Sequence, residues 1–151
     1  GRLPEEAVRA ATERLRGLPE GDRICHGDFH PDNVLMTSRG PMIIDWGPAT
    51  AGHPAADVAW TILLFRYAGV PPGTPRGIRA LLAALRRLML RTYLRTYARC
   101  GGLSRKEIQP WLLPVAILRL GDGIVEERDA LQALIGRELR RGRASAAVSL
   151  R

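Results

Sequence analysis

One short stretch of the chain carries most of the side chains that could do chemistry. Asp28 is followed five residues later by Asn33, and Asp45 comes at the end of a nearby apolar run. Phosphoryl transfer to an alcohol needs a carboxylate that orients the hydroxyl and takes its proton, together with ligands for Mg²⁺. An amide oxygen from Asn33 and a carboxylate from Asp45 suit such a hard cation. The residue types therefore indicate transfer of a phosphoryl group from a magnesium nucleotide to a hydroxyl.

Two apolar runs around a turn predict the scaffold for these side chains. Residues 34–37 and 42–44 flank the Ser-Arg-Gly-Pro segment 38–41, so a β-hairpin is predicted. Asn33 comes just before its first strand and Asp45 just after its second. Because adjacent strands lie about 5 Å apart, these two strand ends can converge on one ion.

The rest of the chain is predicted to be mainly helical. Helical spacing of apolar residues predicts helices over 5–16, 55–67, 75–98 and 124–140, with a short extended segment at 23–25 and a loop at 50–54. Ser104 and Glu107 have the spacing of a capping box, before a helix that Pro110 and Pro114 should kink or split. The residues of the 75–98 helix predicted to face the core are Ile78, Leu81, Leu82, Leu85, Leu88, Met89 and Thr92.

The fold class predicted from these elements is α+β and mainly α, with one domain over residues 1–141 and a frayed tail over 142–151. The length of 151 residues and the hydrophobic fraction of 46% are sufficient for one ordinary core. No apolar run approaches the ~18 residues of a membrane span, so no membrane partner is expected. Cys25 and Cys100 form no CxxC pair, which predicts reduced thiols and a cytoplasmic location.

The net charge of +8 comes from 22 arginines and a single lysine, Lys106. Five arginines recur mostly at four-residue spacing, which lines them along one side of a helix and predicts a solvated face: Arg79, Arg87, Arg91, Arg95 and Arg99. No aromatic residues interleave with them as a stacking platform for single strands requires, and no nucleic-acid motif is present. A nucleic-acid partner is therefore not expected.

The spacing of the chemical residues resembles that of a known family. His26-Gly27-Asp28 with Asn33, then Asp45-Trp46-Gly47, has the form H-G-D-x-x-x-x-N and D-W-G, close to the kinase patterns H-R-D-x-x-x-x-N and D-F-G. Residues 52–59, Gly-His-Pro-Ala-Ala-Asp-Val-Ala, are similar to a G-D-P-x-x-D-L-A element. Together these elements resemble the aminoglycoside phosphotransferase family, whose fold is protein-kinase-like. The resemblance is strong from Cys25 to Trp60 and diffuse beyond.

The resemblance implies a role for each motif residue. Asp28 would be the catalytic base, and Asn33 and Asp45 would hold magnesium. His26 would support the catalytic loop, and Asp57 would accept hydrogen bonds from the backbone of that loop. ATP or GTP would be the phosphoryl donor, and a small hydroxylated molecule such as an aminoglycoside or a related alcohol would be the acceptor.

Other residues near the motif leave alternatives open. His53 stands where the family commonly has an acidic residue, which puts local loop contacts in question. His30 could complete an H-x-D-x-H metal cluster with His26 and Asp28, which would suggest a metallohydrolase. The candidates for binding the acceptor lie on the last predicted helix: Glu126, Glu127 and Asp129.

A second lobe is the main feature that the sequence does not supply. The family's nucleotide lobe carries a glycine-rich loop and a lysine for the phosphates, whereas only 25 residues precede His26, without a lysine. The expectation is a C-terminal catalytic lobe whose N-terminal nucleotide lobe is absent from this chain. The alternative is a kinase-like binding or scaffold module without catalysis.

Overall fold

A computed structural model describes the backbone of residues 4–149 and the side chains of residues 4–143. The helices are α1 (Glu5–Arg16), α2 (Pro54–Tyr67), α3 (Arg76–Gly101), α4 (Arg105–Ile108), α5 (Leu112–Gly121) and α6 (Val125–Ser149). The strands are β1 (Arg23–Cys25), β2 (Val34–Thr37), β3 (Gly40–Ile43) and β4 (Thr50–Gly52). Two short 3-10 turns cover Pro31–Asn33 and Gln109–Trp111. The mainly helical α+β class predicted from the sequence is therefore observed.

The predicted hairpin is formed by β2 and β3, which pair antiparallel with Val34 opposite Ile43. Its second strand begins earlier than predicted, because Gly40 and Pro41 already pair with β2. Pro41 has no backbone N–H to donate, and a two-stranded ribbon tolerates this because each strand keeps an unpaired edge. Thr37 closes the turn, since its hydroxyl donates to the Gly40 carbonyl at 2.8 Å.

The prediction of a loop over residues 50–54 is wrong, because Thr50–Gly52 forms β4 and pairs antiparallel with β1. Cys25 lies opposite Thr50 in this ribbon. A pairing of three residues has no periodicity of its own, so the sequence carries no signal for it. The ribbon holds the chain before His26 beside the chain that enters α2.

The core lies between α2 and α5, with α1 and α6 packed around them. Both central helices are apolar on nearly all sides, and Val58 of α2 and Leu113 of α5 are fully buried. The capping box is confirmed, with Ser104 and Glu107 bonded reciprocally at the start of α4. As predicted, the helix splits near Pro110, where a 3-10 turn separates α4 from α5.

The face of α3 that was predicted to be core is largely exposed. The relative exposure of Ile78 is 50%, of Leu81 68%, of Leu85 48% and of Leu88 62%; Thr92 is also exposed, and Leu82 and Met89 are half-buried. Leu90 is the buried residue of this helix. Hydrophobic spacing identifies an amphipathic helix, but whether a partner covers its apolar side depends on the packing of other elements. Here α2 is the element that α3 contacts most.

The last helix runs further than predicted. Where the sequence suggests a frayed tail from residue 142, α6 continues to Ser149, and residues 150 and 151 lie outside the described residues. Within the described part of the chain, no helix combines the length and hydropathy needed to cross a bilayer. Cys25 and Cys100 are both free thiols, as predicted.

Candidate active site

The loop that carries Asp28 is attached to the core through Asp57 in the first turn of α2. The two oxygens of the Asp57 carboxylate accept hydrogen bonds from the backbone N–H of His26 at 3.0 Å and of Gly27 at 2.7 Å. This is the contact that the family resemblance implies. Because most of α2 is buried in the core, the loop is held against a rigid element.

His26 links this loop to the end of the hairpin. It is buried; its Nδ1 accepts a hydrogen bond from the Asp28 backbone N–H at 3.2 Å, and its Nε2 lies 2.9 Å from the Ile44 carbonyl oxygen. An Nδ1 that accepts carries no proton, so Nε2 is the nitrogen that donates to Ile44. The Trp46 ring packs against the imidazole at 4.7 Å.

These contacts remove the metallohydrolase alternative. Both ring nitrogens of His26 are engaged in hydrogen bonds to the backbone, so neither is available as a metal ligand. Among residues 4–143, no group of three or more His, Cys, Asp or Glu side chains is arranged to hold a metal ion. His30 instead lies with its Nε2 3.4 Å from Asp28 Oδ2 and its Nδ1 3.7 Å from Asp32 Oδ2.

Gly27 is required by the backbone geometry of the loop. Its φ of +78° lies in the left-handed region, and a Cβ at this position would be 2.8 Å from the Pro48 carbonyl oxygen. Any larger residue would push the loop away from the segment that follows Asp45. The close approach of these two segments brings the H-G-D and D-W-G motifs together.

Asp28 and Asn33 are in direct contact. The Asn33 Nδ2 donates to the Asp28 backbone carbonyl at 2.9 Å and lies 3.3 Å from Asp28 Oδ2. Asn33 is buried and ends the 3-10 turn that begins at Pro31. With its N–H groups engaged in this way, the amide presents Oδ1 as an acceptor that has no hydrogen bond to another described residue.

Asp45 follows Ile44 at the end of the hairpin. The backbone N–H of Ile44 donates to the Asn33 carbonyl at 3.0 Å, which fixes Asp45 one residue beyond the contact. Asp45 is the one non-glycine residue with a positive φ, +60°, among the described residues. This conformation is uncommon for residues with a side chain and concentrates at functional sites. No side-chain hydrogen bond or ion pair of Asp45 is found in the described part of the chain, so its carboxylate is available.

A cavity of about 550 Å³ opens next to Asp28. Its polar lining includes Asp28, Asp32 and His30. Its apolar lining comes from the end of α2 and the first half of α3: Leu64, Phe65, Leu82, Leu85 and Met89. Two arginines, Arg86 and Arg119, complete the charged lining. The volume is within the ~300–1,000 Å³ typical of small-molecule sites.

Three residues of this region were not singled out from the sequence. Phe29 stacks on Tyr93 of α3 with ring centroids 5.6 Å apart, and burial raises the pKa of Tyr93, so this phenol is neutral. Arg119 of α5 lies near Asp28 and lines the cavity. For Arg119, the sequence signal was a single charged residue within the otherwise apolar α5.

The candidates for acceptor binding on α6 lie in different surroundings. Glu127 is buried, and its two carboxylate oxygens accept hydrogen bonds from Arg119 at 2.8 Å each. These hydrogen bonds hold the pKa of the Arg119 guanidinium above its ordinary value. Glu126 is exposed and packs near Gly69 at the cavity. Asp129 is exposed, with no side-chain hydrogen bond or ion pair among the described residues.

His53 performs the local task expected of a polar residue at its position. It is the N-cap of α2, and its Nδ1 accepts a hydrogen bond from the Ala55 N–H at 3.2 Å. Its ring also stacks on Trp111 at 5.4 Å. The imidazole therefore caps the helix as a carboxylate would, and the departure from the family pattern leaves the start of α2 intact.

Removing the Asp57 carboxylate is expected to destabilise the fold. Asp57→Ala leaves the backbone N–H groups of His26 and Gly27 without an acceptor, at about 1–3 kcal/mol for each group that stays buried. We expect a loss of about 2–4 kcal/mol in the free energy of unfolding, measured by urea denaturation. The matched control is Asp32→Ala in the same loop, whose side chain is 95% exposed. An Asp57→Ala variant as stable as this control would contradict the prediction.

Solved structures of similar fold include aminoglycoside phosphotransferase APH(4)-Ia, with a TM-score of 0.58 at 20% identity. A thermostable mutant of that protein in a ternary complex with AMP-PNP and hygromycin B gives the same values, and the apo form of a thermostable mutant gives 0.57 at 22% identity. In each case the match covers 93% of this chain and 46% of the other. The fold is thus similar to part of the kinase-like fold of an aminoglycoside phosphotransferase.

The family is established by sequence. The model of the phosphotransferase enzyme family matches residues 2–103, about two thirds of the chain, and the chain belongs to this family. Acyl-CoA dehydrogenase family member 11 of Rattus norvegicus is 33% identical over 73 residues, and the Mus musculus protein of that name is 32% identical over the same length. These matches cover 44% of this chain and 9% of those proteins. The chain spans about half the length of the solved structures that it matches.

Proposed function

We propose that this chain is the catalytic lobe of an ATP- and Mg²⁺-dependent phosphotransferase that phosphorylates a hydroxyl of a small molecule. The observation that carries the proposal is the contact between Asn33 Nδ2 and Asp28, with Asp45 one residue beyond the Ile44–Asn33 hydrogen bond. Family membership supports the reaction class. The proposed compartment is the cytoplasm, where ATP is available and both cysteines stay reduced.

In the proposed reaction Asp28 is the catalytic base. Its carboxylate accepts a hydrogen bond from the acceptor hydroxyl and takes the proton while the hydroxyl oxygen forms a bond to the γ-phosphorus of ATP. The bond from that phosphorus to the bridging oxygen breaks, and ADP leaves. The Asn33 amide supports this role because its N–H orients the Asp28 carboxylate.

The donor set at the hairpin fits magnesium. Asn33 Oδ1 and the Asp45 carboxylate are hard oxygen ligands, and neither is used by a hydrogen bond to another described residue. A magnesium ion held there supplies positive charge that balances the phosphates. The protein's own part is to orient these oxygens, through His26 on one side and the backbone conformation of Asp45 on the other.

The cavity beside Asp28 is the proposed acceptor site. It combines an apolar wall from α2 and α3 with polar groups near the base, which suits a hydroxylated small molecule. The neighbouring fold whose structure contains hygromycin B and AMP-PNP supports a small-molecule acceptor and an adenine nucleotide donor. Aminoglycosides and related alcohols are the first classes to test.

The test is an acceptor screen on the native gene product with Mg²⁺ and either ATP or GTP. We expect nucleoside diphosphate release that depends on an added hydroxylated acceptor and on the Asp28 carboxylate. Phosphate should appear on an acceptor oxygen, which mass spectrometry and ³¹P NMR can locate. If no acceptor supports release while nucleotide and acceptors still bind, the non-catalytic alternative replaces the enzyme.

The 151-residue chain by itself is expected to show no measurable ATP-dependent phosphotransfer. Its single lysine, Lys106, lies well after the motif, and no glycine-rich phosphate loop precedes Asp28 within it. Phosphoryl transfer depends on positioning and charge stabilisation. A site that contacts only one side of the nucleotide should therefore give no more than the uncatalysed rate. A coupled assay for ADP is the measurement, with the Asp28→Asn chain as the blank. Turnover clearly above this blank would contradict the prediction.

A further inference from the structure

The surplus positive charge of the chain is concentrated in one segment. Residues 58–106 contain nine arginines, Lys106 and no acidic residue. The other residues hold the remaining 13 of the 23 basic side chains and all 15 acidic ones, so they are close to neutral. The charge is therefore a local property of the end of α2, of α3 and of the start of α4.

Within this segment, six arginines converge on a cavity of about 500 Å³ that has no acidic residue in its lining. They come from three different helices: Arg66 of α2, Arg79, Arg86, Arg87 and Arg91 of α3, and Arg105 of α4. None of the six forms an ion pair with a carboxylate in the described part of the chain. The arginines of a solvated helix face would all lie on one helix and point into solvent. Here the arginines come from three helices and line one concave space.

Two of these guanidinium groups are held in place by the fold. Arg86 Nη1 donates to the Ala68 carbonyl at 2.6 Å, and Arg79 Nε donates to the Thr74 carbonyl at 3.0 Å. Arg87 and Arg91 have no hydrogen bond to another described residue and are exposed. Their donors are therefore available to a ligand.

This arrangement is unfavourable while the cavity holds only water. Arg87 and Arg91 are four residues apart on one helix, a spacing at which like charges destabilise by about 0.2–0.5 kcal/mol. Arg79 lies in the first turn of α3, where the helix dipole disfavours cations and where no acidic residue compensates. A bound anion would offset both costs.

We propose that this cavity binds a small molecule bearing two or more phosphate groups. The planar fork of arginine donors matches phosphate oxygens pairwise, and several forks around one space favour a compact, multiply charged ligand. The site is separate from the proposed catalytic centre, because Asp28 does not line it, although Phe65, Leu82 and Arg86 form part of the wall of both cavities.

A small ligand is favoured over a nucleic acid by the lining. Phe65 is buried, and Tyr67 accepts a hydrogen bond from Arg137, so the two aromatic residues of the cavity do not form a platform for successive bases. The volume is also that of a small-molecule site.

The test is calorimetric titration of the 151-residue chain with inorganic tripolyphosphate at low and at physiological salt. We expect one saturable site whose affinity weakens as salt rises. The double variant R87Q/R91Q should lose at least about tenfold in affinity, the equivalent of one charge-assisted hydrogen bond. The charge-matched control R76Q/R99Q removes two exposed arginines of α3 that do not line this cavity, and it should lose less than about threefold.

A third variant separates charge from geometry. R87K/R91K keeps both charges but loses the fork, so its affinity should fall between those of the glutamine variant and the unmodified chain. Thermal unfolding checks that all variants are folded. Absence of saturable binding, or an equal loss in the two glutamine variants, would overturn the proposal in favour of diffuse electrostatic attraction. If a single-stranded oligonucleotide displaces tripolyphosphate and binds more tightly, the proposal is overturned and the ligand of this cavity is a nucleic acid.

Discussion

Asp28→Asn is expected to lower kcat of the native gene product by about 10²–10⁴-fold, the usual contribution of a positioned general base. The substituted amide can still accept a hydrogen bond from the acceptor hydroxyl but cannot take its proton. KM for the acceptor should therefore change little, because the lost interaction belongs to the transition state. Steady-state kinetics with the acceptor found in the screen is the measurement.

The matched control for this substitution is Asp32→Asn. Asp32 lines the same cavity and carries the same charge, but its carboxylate is 95% exposed and 3.7 Å from His30 Nδ1. A general loss of negative charge near the acceptor would affect both variants alike. Activity that survives in Asp28→Asn, or an equal loss in the two variants, would remove Asp28 from its role as base.

Arg119→Met is expected to cause the largest loss of stability, about 3–5 kcal/mol, as for other buried ion pairs that lose one partner. The substitution leaves the Glu127 carboxylate buried without the two hydrogen bonds that it now receives. Arg119 also lies near Asp28, so phosphotransfer should fall as well. Urea denaturation monitored by circular dichroism gives the free energy of unfolding.

The double variant Arg119→Met with Glu127→Leu tests the physical cause. Replacing both members of a buried pair by apolar residues of similar size is often neutral, so most of the lost stability should return. If the double variant is as unstable as Arg119→Met alone, the loss comes from packing of the arginine side chain rather than from an unpaired carboxylate. If the free energy of unfolding of Arg119→Met alone is within about 1 kcal/mol of that of the unmodified chain, water reaches the Glu127 carboxylate.

The elements predicted well are those whose signals are local. The hairpin follows from two apolar runs around a Ser-Arg-Gly-Pro turn, and the start of α4 follows from the spacing of Ser104 and Glu107. The order of Asp28, Asn33 and Asp45 likewise predicts a chemistry from spacing alone, and the roles of these residues stay a prediction. In such cases the residues that determine the structure are neighbours in the chain, so the pattern contains the information.

The elements predicted poorly depend on distant residues. The β1–β4 pairing joins three residues to three others some 27 positions away. Strands this short show no hydrophobic periodicity that would predict the pairing. The apolar stripe of α3 predicts an amphipathic helix correctly, yet it is largely exposed, because burial requires a second element that the stripe itself does not specify. The Arg119–Glu127 pair joins residues only eight positions apart. It was missed because whether these two side chains face each other depends on how α5 and α6 pack.

The amino-acid sequence by itself determined which chemical groups this protein has and in what order, because motif spacing and turn residues act over a few positions. Only the tertiary structure decided which groups meet. It joins Asp57 to the loop that carries Asp28, engages both nitrogens of His26, pairs Glu127 with Arg119 and gathers arginines of three helices around one cavity. These contacts arise from the packing of helices and loops against one another, and packing is decided by the whole set of elements together.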